Sequence, residues 1–175
     1  MKNVEIEQPV TDKSPISLYP LSYVQERLWI EHQQAPESVA SHVAFAMRIL
    51  SAVDVPALRQ AFQTLVDRHA VLRTIFGTQD GQPVPQIQER HSIAFSQIDA
   101  ARFPSGEEGL RAEVLAAHRR PYDLTDGPLF RVQLFTRTAL DHVLLIGAHQ
   151  IILDDQSLWK LVEEAGLLYE GKSPF

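Results

Sequence analysis

The chain has 175 residues, 45% of them apolar, with a formal net charge of −6 and no cysteine. That length can build a core for one domain, or for one lobe of a larger two-lobed unit. The acidic balance argues against a nucleic-acid backbone as ligand, and the lack of cysteine excludes disulfides, thiolate nucleophiles and Cys-based zinc sites.

Residues Met1 to Ser17 are polar and acidic with Pro9 and Pro15, so they read as an arm or linker, and residues 18–175 as the folded unit. The start lacks the basic and then apolar pattern of a signal peptide. Leu21 to Trp29 predicts a short helix capped by Ser22. His42 to Leu50 alternates, with Val43, Phe45, Met47 and Ile49 on one side, and predicts a strand. Asp54 and Pro56 open a helix whose apolar stripe is Leu58, Phe62, Leu65 and Val66. Val71 to Phe76 reads as a strand, Gln79-Asp80-Gly81-Gln82 as a turn, and Val84 to Ile87 as a short or edge strand despite Pro85.

Ser105 with Glu108 fits a capping box for a helix through Leu110, Val114 and Leu115. After an Asp126-Gly127-Pro128 turn, Leu129–Phe135 and His142–Ala148 form a plausible antiparallel pair joined by Thr138 to Asp141. The strand at Val143–Ile146 is too short to cross a bilayer. A last helix opens at Ser157 and carries Leu158, Leu161, Val162, Ala165 and Leu168. The alternation of sheet and helix is α/β: a mostly antiparallel sheet packed by helices.

Four segments carry a family resemblance. Ser22-Tyr23-Val24-Gln25-Glu26-Arg27-Leu28-Trp29 resembles SxAQxRLW, and Arg68-His69-Ala70-Val71-Leu72-Arg73-Thr74-Ile75-Phe76 resembles RHExLRTxF with Ala70 for Glu. Pro121-Tyr122-Asp123-Leu124 with Gly127-Pro128-Leu129-Phe130-Arg131 resembles the piece that precedes the two strands leading to the active-site loop. His149-Gln150-Ile151-Ile152-Leu153-Asp154-Asp155 resembles HHxxxDG. Taken in order, they resemble the N-terminal lobe of the condensation domains of nonribosomal peptide synthetases, in the chloramphenicol-acetyltransferase-like superfamily. The resemblance implies one α/β lobe of a two-lobed domain, with a tunnel between the lobes for the phosphopantetheine arms of carrier proteins.

The last segment departs from its pattern at two places. The second His, which the family uses at its reaction centre, is Gln150, and the Gly is Asp155. Gln donates and accepts hydrogen bonds but holds no proton near neutral pH. Gln150 is therefore either a structural strand-end residue or a substrate contact. By strand alternation His149 points away from Gln150, and the resemblance, in which the first His is largely structural, implies a packed, hydrogen-bonded imidazole. The resemblance implies an ion pair between Asp154 and Arg68 holding the loop to the helix. His149, Asp154 and Asp155 lack the separated further ligands a metal needs, so no metal is expected. Arg73 and Trp29 read as packing residues, and no GxSxG or phosphate-cradling Gly loop occurs.

These departures, with a resemblance that covers only the first lobe, imply a truncated, catalytically inactive condensation-like module of nonribosomal peptide or hybrid polyketide–peptide biosynthesis. Its expected partners are an acyl or peptidyl carrier protein and neighbouring synthetase domains, with a homodimer as another outcome. No cofactor is expected to bind directly, although a carrier's phosphopantetheine could touch the surface. The expected compartment is the cytoplasm, with no membrane or nucleic-acid partner. Two alternatives stay open: an N-terminal fragment of an enzyme that forms amide or ester bonds from carrier thioesters once a C-terminal lobe completes it, and a self-associating assembly protein.

Overall fold

The computed structural model describes residues 20–103 and 106–172. The expected arm and the Ser105 cap lie outside them. Helix α1 (Tyr23–Gln34) begins at a full capping box: Gln25 N–H donates to Ser22 Oγ at 3.2 Å, and Ser22 N–H to Gln25 Oε1 at 3.1 Å. Strand β1 (His42–Ile49) follows, then α2 (Val55–Arg68), where Asp54 accepts from Ala57 N–H at 3.0 Å. Leu58, Phe62, Leu65 and Val66 form the buried face of α2, at the helical spacing read from the sequence.

The strand expected from Val71 instead starts three residues later. Ala70–Arg73 forms a 3-10 turn, and β2 (Thr74–Gln79) comes after it. The Thr74 hydroxyl donates back to Ala70 C=O at 3.0 Å, which favours the turn over an extended backbone. Strand β3 (Gln82–Ile87) pairs with β2 as a separate two-stranded sheet, where Pro83 and Pro85 are tolerated at an edge. Asp80 (φ 52°) and Gly81 (φ 78°) form its two-residue loop, with both residues left-handed as such hairpins require.

The remaining elements are β4 (Ala94–Asp99), α3 (Gly106–His118), β5 (Phe130–Thr138), β6 (Asp141–His149) and α4 (Asp155–Tyr169). The main sheet runs β1-β6-β5-β4, antiparallel except for the parallel β4–β5 pair. Val132, Leu134, Leu144 and Ile146 point to one face, where they join Phe62, Leu65, Leu158 and Leu161 of α2 and α4. Phe135 and Leu145 point to the other face and meet Leu110 of α3. The architecture is the α/β arrangement expected, with helices on both faces of the sheet. Strand β4 was not foreseen, and α4 starts two residues before Ser157, capped by Asp154. No helix among the described residues is long and apolar enough to cross a membrane.

Candidate functional site

The end of β6 and the turn into α4 bring the motif residues together. His149 closes the strand opposite His42, and its N–H donates to Leu129 C=O at 3.1 Å. Its ring is only 3% exposed, and Nδ1 accepts from Ile151 N–H at 3.1 Å. That bond places the ring proton on Nε2 in the neutral form. Burial, with the His32 and His42 rings 6.0 and 6.1 Å away, pushes its pKa down to about 4. His149 is thus a packed, neutral, hydrogen-bonded imidazole.

Gln150 is half-buried, and its N–H donates to Ser41 C=O at 2.8 Å, fixing the chain as it leaves the sheet. Asp154 and Asp155 are both exposed. Asp154 Oδ1 accepts from Ser157 N–H at 2.8 Å, and the Ser157 hydrogen bonds hold its carboxyl below the usual carboxylate range. Asp155 sits in the first turn of α4, where a negative charge suits the helix dipole.

The expected Arg68–Asp154 pair is not among the ion pairs of the described residues. Arg68 instead donates to Glu164 Oε1 at 2.7 Å, and His69 Nε2 lies 2.8 Å from the other oxygen of the same carboxylate. Arg68 closes α2 beside the middle of α4, and Asp154 is occupied as the cap of α4's first turn. The contact between the two helices is therefore made by Glu164, one turn short of the end of α4. Nothing in the quoted motifs singles out Glu164.

Two further supports have no signal in the sequence motifs. Gln25 Nε2 donates to Ile151 C=O at 3.1 Å, tying α1 to the turn between Gln150 and Asp154. Arg131 stacks on the Tyr122 ring at 4.0 Å and donates to the carbonyls of Arg120 (3.0 Å) and Pro121 (2.6 Å). A Cβ on Gly147 would lie 3.0 Å from Tyr122 Oη, so any larger residue there would press on the ring that packs against β6. Arg73, expected to reach an acid, donates instead to the backbone carbonyl of Val66 at 3.0 Å, while Trp29 is buried as a packing residue. Among the described residues no group of three or more His, Asp or Glu is placed to hold a metal ion. A cavity of about 280 Å³ opens beside His32 and His149, lined also by Glu31, Ala35, Ser38 and Ser41.

The chemistry open to this site is narrow. One neutral imidazole carries its proton on Nε2, one amide sits next to it in sequence, and both carboxylates face solvent at a helix start. Gln150 supplies hydrogen bonds but no general base.

The family model described as the condensation domain matches residues 16–174. A linear gramicidin synthase of Brevibacillus parabrevis is 35% identical over 154 residues, which is 87% of this chain and 3% of that protein. Bacitracin synthase 2 of Bacillus licheniformis is 32% identical over 173 residues, 98% of this chain and 6% of the relative. Among solved structures, the starter condensation domain of rhizomide synthetase superposes with a TM-score of 0.81 at 22% identity, covering 90% of this chain and 41% of that one. The first condensation domain of the calcium-dependent antibiotic synthetase gives 0.75 at 20% identity, with 89% and 38% covered. The chain thus spans about two fifths of these solved relatives and a few per cent of the synthases.

Proposed function

The chain belongs to the condensation-domain family, and we propose that it serves nonribosomal peptide assembly as a docking module that makes no amide bonds itself. The observation that carries this reading is Gln150 in place of the second His of HHxxxDG, beside a His149 that is buried and neutral. General-base help is worth roughly 10²–10⁴ in rate, and neither residue can supply it in this arrangement. Gln150 retains hydrogen-bonding capacity toward a substrate amide, and Asp155 adds bulk and charge where the family has Gly.

The partner in this reading is an acyl or peptidyl carrier protein or a neighbouring synthetase domain, met in the cytoplasm, with the phosphopantetheine arm passing the Gln150 turn. Exposed apolar side chains at Tyr23, Val24 and Ile30 of α1 and Trp159 of α4 offer surface for that contact, or for a second copy of the chain. A second reading, acyl transfer completed by a C-terminal lobe, draws support from the two-fifths share of the solved domains that the chain spans.

Titration of the chain with a holo carrier protein, beside analytical ultracentrifugation at micromolar concentration, tests the docking claim. A carrier complex, or a stable complex with the adjacent domain, supports it. A monomer that binds neither removes it. Amide product formed only after a separate C-terminal lobe is added would favour the second reading.

A further inference from the structure

We propose that the cavity at the head of β4 and β5 binds a phosphate group, free or as an ester. Its volume is about 360 Å³, at the lower end of the range of ligand sites (roughly 300–1,000 Å³). Arg120, Arg131, Ser96 and Gln133 supply its polar lining, Phe95 and Pro128 form part of the apolar remainder, and no Asp or Glu lines it.

The register explains the grouping. Ala94 pairs with Arg131 and Ser96 with Gln133, so the alternate residues of two neighbouring strands point to one side of the sheet. That side is covered by α3 further along, at Leu110 and Phe135, and is left open at this end. Arg120 enters from the segment that follows α3.

Neither arginine has a carboxylate partner among the described residues. Arg131 is half-buried and spends two of its donors on the carbonyls of Arg120 and Pro121, which leaves three N–H groups. The Arg120 guanidinium, the Ser96 hydroxyl and the Gln133 amide make no hydrogen bond to another described residue. Two guanidinium groups side by side also repel, and burial and Arg120 together lower the proton affinity of Arg131. An anion between them relieves that repulsion and fills the free donors. In a chain of net charge −6, a cavity lined by two unpaired arginines and no acid is a local exception to the overall field.

Phosphate fits better than carboxylate for a geometric reason. The polar lining comes from two strands and the segment after α3, and a tetrahedral group offers oxygens in several directions, while a carboxylate offers two in one plane. Guanidinium binds phosphate through paired, charge-assisted hydrogen bonds. The cavity's volume leaves space for an organic substituent against Pro128. None of these residues takes part in the Gln150 turn, so the assignment stands apart from the docking function proposed above.

The test is calorimetric titration of the whole chain at low ionic strength with inorganic phosphate, methyl phosphate and acetate. The assignment predicts saturable binding of at least one of the two phosphates, with acetate at least tenfold weaker. Arg120→Gln should weaken phosphate at least tenfold, and Ser96→Asp, which places a carboxylate in the cavity, should abolish binding. Arg120 is exposed and its side chain holds nothing else, so its substitution should leave the unfolding midpoint unchanged. Tighter binding of methyl phosphate than of inorganic phosphate marks an ester site, and the reverse order a site for the free ion. No binding of either, or equal affinity in the wild type and Arg120→Gln, overturns the proposal.

Discussion

The buried His149 makes a prediction about acid stability whose sign and size follow from its surroundings. Its ordinary pKa is 6.5, and in the fold it is pushed down to about 4, first by burial and then by His32 and His42. Below pH 6.5 the unfolded chain takes up this proton and the folded chain does not. Stability therefore falls as pH drops from 6.5 toward 4. At 1.36 kcal/mol per pH unit of displacement, the full loss is roughly 3 kcal/mol, a large part of the margin of an ordinary domain. Depressed pKa values at His32 and His42 act in the same direction. His149→Asn removes the titration while keeping an oxygen able to accept from Ile151 N–H. Urea unfolding of both proteins at several pH values between 7 and 4 isolates the effect, because titrations not coupled to His149 cancel in the difference. The wild type should lose more stability over that window than His149→Asn, by about 2–3 kcal/mol. Equal losses in the two proteins would refute the buried, neutral assignment of His149.

Asp154→Ala should lower the unfolding midpoint by a few degrees through loss of the α4 cap, and Asp154→Asn should sit near wild type because Asn caps as well. With its carboxyl held low, the Asp154 contribution is present at neutral pH and fades as pH falls through its folded value. In double-mutant cycles, Arg68 should couple to Glu164 and not to Asp154; coupling to Asp154 alone would restore the pair implied by the family resemblance. Gly147→Ala should cost about 1–3 kcal/mol in denaturant unfolding, since its methyl must displace the Tyr122 hydroxyl from 3.0 Å; a neutral result would mean that the ring has room to move.

The sequence carried the elements whose apolar pattern is one-sided. Helix α2 shows its stripe plainly, and Ser22 and Asp54 mark their helix starts as caps should. Strand β4 was illegible for a physical reason: Phe95 serves one face of the sheet and Ile98 the other, so its apolar residues do not fall at a period of two. Its partner, β5, is parallel and more than thirty residues away, and no local turn announces the pairing. The His149 environment was half legible. Strand alternation indicated a packed ring, but His32, His42 and Tyr122 meet it only through the fold. Asp154 shows how a motif resemblance can assign a residue correctly to a loop and wrongly to a partner: a carboxylate three residues before a free N–H at a helix start caps that helix. Glu164, on the far turns of α4, took the partner's place.

With Gln150 in place of the second His, the chain is proposed to lack condensation chemistry. The direct measurement is mass-spectrometric detection of the amide formed between donor and acceptor carrier proteins, each loaded as its thioester, with the purified chain present and absent. Absence of that chemistry means equal product in both reactions, with the rate at the uncatalysed background. Product above that background, lost again in Gln150→Ala, would contradict it and make Gln150 a working part of an acyl-transfer site.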